Sequence, residues 1–313
     1  MKKLSFSLRF VFISTLLMVS SMAYSQLDSI SISSEESDPF AERVMNKSSV
    51  LDGIYEREHV PARKPVAYHH LREADVMWKK KIWRILNLKE KINHPLYFPT
   101  TPMDNRYCLT DLIILAAQQG MEVYGIDDDE FTTPLSEGDF SSNLGASLDT
   151  NYVEDLESGE IIPTITQDPV KPDQIKRYIM KEVWFFDKQR SKLEVRILGL
   201  CPIRRFVNDD IAEAMSAEGG EEQLSTAKVC WVYFPAFRPW LAKNEVFNPN
   251  NDAERRTYDD IFFKRHFSSY IVQETNVYDN RRINEYEKGQ DALLEGEKIK
   301  EFIFKVEHDL WEF

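Results

Sequence analysis

The chain has 313 residues, and its 52 aspartates and glutamates outnumber 39 lysines and arginines, which gives a net charge of −13. This acidic balance opposes binding to phosphate backbones and to anionic lipid surfaces, so it argues against a nucleic-acid-binding or membrane-surface protein. Three cysteines are too few for a disulfide scaffold.

The N-terminal segment has the organisation of a secretory signal peptide over residues 1–25. Three cations lie in the first nine residues, an apolar run extends from Phe10 to Ala23, and Ser25 ends a small-residue cleavage site. A retained N-terminal anchor is the alternative. Removing three cations and no acids changes the net charge from −13 to −16. We therefore expect an exported protein, and the absence of a cysteine near the cleavage site argues against direct lipidation.

Residues 26–70 are polar, serine-rich and interrupted by prolines, which predicts an extended or disordered arm. A helix is predicted from Asp75, a plausible N-cap, to about Ile92, because this stretch lacks proline and glycine. Helical spacing would place Lys80, Arg84 and Lys91 in one narrow sector. The stretch is then either a core helix with solvated bases or a protein-docking face, and both interpretations stay open.

The next stretch predicts a second helix in "CLTDLIILAAQQG", ended by Gly120, and a short strand in "MEVYGI". Residues 127–173 contain thirteen acids and one cation, Lys171, which predicts a long solvated loop or disordered insertion. The run from Asp127 to Glu130 lacks the alternating ligands and central glycine of a calcium loop, so no metal site is predicted.

The second half of the chain predicts strands followed by helices. A hairpin is expected around the polar turn at 187–192, with a third strand in "AKVCWVYFPAF" antiparallel to its second strand. Residues 252–274 and 290–312 are expected to be helices. This order predicts an α+β fold in which amphipathic helices pack on a small antiparallel sheet of three to five strands. Cys201 and Cys230 lie on strand-like runs and could form a disulfide or remain buried free thiols.

Sequence signatures of catalysis are not found. The chain has no nucleophile elbow, no Cys–His pattern and no glycine-rich loop before a helix, so neither an enzyme nor a cofactor site is predicted. The alternative kept beside this interpretation is a periplasmic enzyme or small-ligand-binding protein that uses the acidic loops.

Several long motifs resemble one known family. They are "DVMWKKKIWRILNLKEKINHPLYFP", "VWFFDKQRSKLEVRILGLCP", "FNPNNDAERRTYDDIFFKRHFSSYIVQETNVYD" and "GQDALLEGEKIKEFIFKVEHDLWEF". Together with "VYFP" they are similar to the gliding-motility family GldN, also called PorN, from about Glu73 to Phe313 with the acidic loop excluded. The corresponding domain is expected at residues 71–313.

This resemblance implies a non-enzymatic subunit of the type IX secretion and gliding machinery. Such a subunit would lie in the periplasm, associated with the inner face of the outer membrane through partners. The implied partners are a GldK/PorK-like outer-membrane lipoprotein, a GldM/PorM-like inner-membrane motor protein, other type IX components and further copies in a ring. The family supplies no active-site residues, so the candidate site is a partner interface: Trp78, Lys80, Arg84, Lys91, Arg255, Arg256, Lys264 and Arg265.

Overall fold

A computed structural model describes residues 62–103, 106–146, 148–154, 161–167, 172–207, 224–251 and 253–310. The predicted signal peptide and residues 26–61 of the predicted arm lie outside these ranges. Residues 63–70 of the arm have no regular secondary structure and lead directly into the ordered domain.

The described ranges contain eleven strands and six α-helices. The strands are β1 (Val76–Asn87), β2 (Val123–Tyr124), β3 (Leu148–Glu154), β4 (Ile161–Gln167), β5 (Ile175–Asp187), β6 (Lys192–Val207), β7 (Leu224–Lys228), β8 (Trp231–Tyr233), β9 (Glu245–Val246), β10 (Arg256–Thr257) and β11 (Tyr270–Glu274). The helices are α1 (His94–Tyr97), α2 (Leu109–Gln118), α3 (Glu137–Leu144), α4 (Phe234–Lys243), α5 (Tyr258–Phe263) and α6 (Gln290–Asp309).

The centre of the fold is an antiparallel sheet of seven strands. Its order is β11-β1-β5-β6-β8-β2, and β7 pairs with β6 beside this path. Two separate two-stranded sheets, β10-β9 and β3-β4, complete the strand pairing. The predicted α+β fold with a small sheet of three to five strands is therefore wrong. The sheet is larger because the sequence patterns hid β1 and β11 inside predicted helices, and because β7 and β8 are separate strands.

The predicted helix at 75–92 is a twelve-residue strand, β1. It pairs with β5 along nearly its whole length, from Val76 opposite Asp187 to Asn87 opposite Arg177, and its other edge pairs with β11. Hydrogen bonds on both edges and packing on both faces override the helix propensity of lysine and leucine, because propensity is a weak preference that tertiary context outweighs.

Other local predictions had mixed outcomes. The α2 helix, the β5–β6 hairpin and the long α6 helix are confirmed. The predicted helix at 252–274 is wrong, because α5 ends at Phe263 and the chain turns at Arg265, whose φ is 55°.

Helix α5 starts with a capping box in which Thr257 and Asp260 bind each other's backbone N–H groups. The acidic segment at 127–173, expected to be a loop, contains α3 and the β3–β4 hairpin.

Side chains alternate along β1, so one face of the sheet carries Ile82 and the other carries Trp83. Ile82 packs in a cluster with Ile299 and Ile303 of α6. The Tyr178 hydroxyl, on the same face of neighbouring β5, lies 2.7 Å from Thr110 of α2. Helices α2 and α6 therefore cover the same face.

The opposite face packs against the loop that precedes α3. Trp83 lies there in a cluster with Trp231 and Cys201, and Phe131 of the loop packs against this cluster. A Cβ placed on Gly199 would lie 2.5 Å from the Phe131 ring, so glycine is required for the loop to approach the sheet this closely.

Candidate functional site

The basic side chains that were predicted to form a stripe on a helix lie on β1 and make contacts within the chain. Lys80 forms an ion pair with Glu274 at 2.6 Å and its Nζ lies 5.0 Å from the Phe302 ring centroid. Arg84 donates to the Ser269 hydroxyl at 2.8 Å and to the Ser269 carbonyl oxygen at 2.9 Å. Burial lowers the pKa of Arg84. Both cations therefore help to join β1 to β11 and its surroundings.

Trp78 lies on the same face of β1 as Lys80 and Arg84. Its ring is half-buried and packs against the apolar cluster that contains Ile82 and Ile299. Trp78, Lys80 and Arg84 are thus brought together by the strand, beneath and beside α6. Lys91 lies beyond the end of β1, on an exposed turn.

Arg265 binds a buried acid on the central strand β5. Its Nη1 and Nη2 atoms donate to the two Glu182 carboxylate oxygens at 2.8 and 3.2 Å. The Trp184 indole donates to the same carboxylate at 3.0 Å, and the Arg265 guanidinium lies 5.4 Å from the Trp184 ring centroid. The Glu182 side chain is fully buried, so this contact neutralises a charge inside the fold.

The remaining predicted cations lie around the β9–β10 hairpin and α5. Arg255 pairs with Glu245 at 3.2 Å, and Arg256 pairs with Glu254 at 2.8 Å. Lys264 is exposed at the end of α5. The eight predicted interface residues are therefore spread over several elements rather than gathered on one surface.

The acids at the start of the acidic segment hold the loop against the sheet. Asp127 pairs with Lys228 at 3.2 Å, and Asp129 accepts a hydrogen bond from the Trp83 indole at 3.1 Å. Asp128 accepts hydrogen bonds from the backbone N–H groups of Thr133 and Thr132, which hold the pKa of Asp128 below its usual value. In the described ranges, no group of three His, Cys, Asp or Glu side chains could hold a metal ion.

The feature that the sequence reasoning missed is an exposed apolar surface on α6. This helix buries only Gly296, Ile299 and Ile303 against the sheet. Four large apolar side chains of the same helix are about half exposed or more: Leu293 (53%), Leu294 (58%), Phe302 (48%) and Phe304 (66%). We call these four residues the α6 surface. The sequence carried a signal for it, because the apolar residues of this helix span a wider arc than one buried stripe needs.

An apolar groove of about 660 Å³ adjoins the α6 surface. Its lining combines α6 with side chains from β1, β5, β6 and β11, and the apolar members are Trp184, Leu193, Ile271, Leu294, Ile303 and Phe304. Arg84, Glu297, Lys298 and Glu301 also line it and supply both signs of charge. Exposed apolar side chains beside a groove with charged walls are typical of a protein-binding surface.

All three cysteines are buried free thiols in the structure. Cys201 lies on β6 and Cys230 immediately precedes β8, which pairs with β6, so the two predicted disulfide partners lie on neighbouring segments. Burial raises the pKa of Cys201 to about 12 and raises that of Cys230 well above its usual value. Both thiols are therefore held in the protonated, unreactive form.

The chain was compared with protein-family models and with curated proteins. A family model described as gliding motility associated protein GldN matches residues 71–312, from just before β1 to past the end of α6. No curated protein matches the chain. Within the described part of the chain, no helix has the length and apolar character that crossing a lipid bilayer requires.

Proposed function

We propose that this chain, which belongs to the GldN family of gliding-motility-associated proteins, is a structural subunit of a ring in the type IX secretion and gliding machinery. In this proposal the subunit lies in the periplasm, binds a GldK/PorK-like lipoprotein of the outer membrane, and contacts a GldM/PorM-like motor protein. The lipoprotein links it to the inner face of the outer membrane.

The observation that carries this proposal is the α6 surface beside its apolar groove. A monomeric protein gains little from leaving Leu294 and Phe304 more than half exposed on one helix. Burying such side chains against a partner contributes roughly 25 cal/mol per Å² of apolar area. A subunit that is permanently assembled would keep them covered, which favours a structural role for this surface.

The predicted basic interface residues have a different place in this proposal. Lys80 and Arg265 neutralise acids of their own chain, whereas Lys91 and Lys264 are exposed. We propose that exposed cations of this set add rim contacts to an assembly whose central contact is apolar. Such rim charges influence association rate and orientation more than affinity.

The alternative of an enzyme or small-ligand binder that uses the acidic loops is less well supported. Asp127, Asp128 and Asp129 each bind a group of their own chain, through an ion pair, backbone N–H groups or an indole. Their carboxylates are thus used to fix the loop before α3 on the sheet. These contacts favour a structural role for the loop over ligand chemistry.

The proposal is tested by co-expressing the chain with a GldK/PorK-like lipoprotein and imaging the purified complex. We expect co-purification in fixed proportion and ring-shaped particles for the native sequence. The double substitution Leu294→Asp and Phe304→Asp should reduce co-purification by roughly tenfold or more, because two charges would face the apolar contact. Its thermal unfolding should stay close to that of the native chain, since both side chains are mainly exposed.

A matched control is Val277→Asp, which places a charge on another exposed apolar residue, 89% exposed and outside α6. This variant should assemble like the native chain. Equal assembly of the α6 double variant and the control would refute the role of the α6 surface. A native chain that purifies alone, as a monomer, would refute the ring proposal itself.

A further inference from the structure

The segment that precedes β1 lies across the domain as an extended strap, defined here as residues 62–71. Arg63 at its start pairs with Asp260 of α5 at 2.8 Å. Tyr68 lies against two guanidinium groups. The Cζ atom of Arg238 is 4.3 Å from the Tyr68 ring centroid, and the Cζ atom of Arg196 is 5.1 Å from it. Arg196 also donates to the His69 carbonyl oxygen at 2.7 Å.

The groove that receives Tyr68 is built without the strap. Arg238 of α4 is fixed by a bidentate ion pair with Asp259 of α5, at 2.8 and 3.0 Å, and both side chains are buried. Phe234 and Phe262 contact each other edge to face, with their ring centroids 5.4 Å apart. These contacts join α4 to α5 and hold the Arg238 guanidinium without involving Tyr68.

The strap is held mainly by these few side-chain contacts. In the described part of the strap no residue belongs to a strand, and most side chains are exposed, with Tyr68 and two others half-buried. A cavity of about 310 Å³ remains between the strap and the groove, lined by Val66 and Tyr68 on one side and by Phe262 and Phe263 on the other. The strap therefore fills the groove incompletely.

The contacts given above for the strap do not involve β1, the strand into which it runs. The contacts are made to Arg196 of β6, Arg238 of α4 and Asp260 of α5. The same contacts would form if the strap came from another copy of the chain. Ten extended residues span at most about 35 Å, which is the size of a small domain, so an adjacent copy is within reach.

We propose that the groove that receives Tyr68, between Arg196 and Arg238, is a docking site for the strap of a neighbouring copy. Adjacent subunits in the assembly would then be linked by exchanged straps. This inference rests on the proposed ring. Exchange replaces one set of contacts by an identical set, so little free energy opposes it. A ring holds neighbouring copies at high effective concentration, which favours docking between copies over docking within one copy.

Two differently tagged chains test the exchange, one with Val66→Cys on the strap and one with Phe263→Cys in the groove. Both positions line the same cavity and are 60% and 54% exposed, while the native cysteines are buried. The chains are co-expressed with the lipoprotein, and the complex is treated with a short bismaleimide reagent. We expect a covalent product that carries both tags. Replacing Phe263→Cys by Tyr278→Cys, exposed and outside the groove, should abolish that product.

A companion variant tests the role of the Tyr68 ring. Tyr68→Ala removes both guanidinium contacts and should lower the yield of the two-tag product by roughly tenfold, whereas Tyr68→Phe should retain it because the ring remains. A chain that carries both Val66→Cys and Phe263→Cys measures docking within one copy, because the reagent can then join the two cysteines of the same chain.

The outcomes separate this inference from the proposed function. Cross-links found only inside the doubly substituted chain, in a complex that does form rings, would overturn the exchange and leave the ring proposal standing. If the chain purifies alone, the same reagents are applied to a concentration series of the purified protein. Two-tag products that increase with concentration would support exchange without the ring, and intrachain products alone would overturn both.

Discussion

Glu182 places a carboxylate in the interior of the sheet, where Arg265 neutralises its charge and Trp184 donates a hydrogen bond to it. The sequence could not reveal this pair, because the two residues are 83 positions apart. Arg265→Met should lower the free energy of unfolding by about 2–4 kcal/mol, since the buried charge loses its cation. The neighbouring Lys264→Met is the matched control and should change it by less than about 0.5 kcal/mol. Urea unfolding of both variants provides the comparison, and similar midpoints would contradict this account.

Cys201 and Cys230 lie close enough in the fold to raise the question of a disulfide, and we propose that they stay reduced. Burial raises the pKa of both thiols, which disfavours the thiolate needed for disulfide exchange. N-ethylmaleimide should therefore label none of the three thiols in the native protein and all three in urea without reductant. Mass spectrometry counts the labels. Labelling of Cys108 alone in urea would instead demonstrate a Cys201–Cys230 bond.

Comparing β1 with the correctly predicted elements shows why some elements could be predicted from the sequence and others could not. Helices α2 and α6 and the β5–β6 hairpin were predictable because their apolar periodicity and their flanking turns agree. In β1, both faces mix apolar and basic residues: Ile82 and Lys80 share one face, Trp83 and Lys81 the other. Such a strand has no clear period of two, and its lysines favour helix in isolation. Its pairing with β5 and β11 decides the structure, and that pairing is not local.

The approach of α6 to β11 depends on Gly296, and this gives a prediction about the packing of that helix. An added Cβ would lie 3.0 Å from the Ile271 carbonyl oxygen, a backbone atom that cannot rotate away. Gly296→Ala should therefore lose roughly 1 kcal/mol of stability despite the better helix propensity of alanine. Gly138 in α3 is the matched control, because a Cβ there meets nothing within 4 Å. Gly138→Ala should gain about 0.5 kcal/mol, and a similar gain at both glycines by urea unfolding would refute the close-packing argument.

The candidate site, taken over the whole chain, was only partly accessible to sequence reasoning. The resemblance of the quoted motifs to a known family implied an assembly subunit, and the basic residues of those motifs directed attention to cations such as Lys80 and Arg84. In the fold these cations face acids or backbone groups of their own chain. The sequence predicted α6 as an amphipathic helix packed on the sheet, and a helical pattern cannot distinguish an apolar arc that is buried in the fold from one that binds a partner. Deciding whether an apolar residue of α6 is buried or available to a partner requires knowing how much of the helix the sheet covers.

The core as a whole contains several buried groups that must stay protonated, which sets the response of the protein to alkaline pH. Burial raises the pKa of Cys201 from its usual 9.0 to about 12, and raises those of Tyr178 and Tyr258 well above their usual 10.0. The folded state then holds these protons more tightly than the unfolded state. The stabilisation from these groups should be fully present below about pH 8.5, and the free energy of unfolding should decrease above that pH by up to about 1.4 kcal/mol per pH unit for each group.

Urea midpoints measured from pH 7 to 11 test this expectation. The native chain should show a constant midpoint up to about pH 8.5 and a falling one above it. Cys201→Ala removes one of the titrating groups, so its midpoint should fall less steeply between pH 9 and 10, whatever its starting value. Tyr278→Phe, which changes an exposed tyrosine, should keep the native slope. An identical pH slope for Cys201→Ala and the native chain would mean that this buried thiol does not contribute to alkaline unfolding.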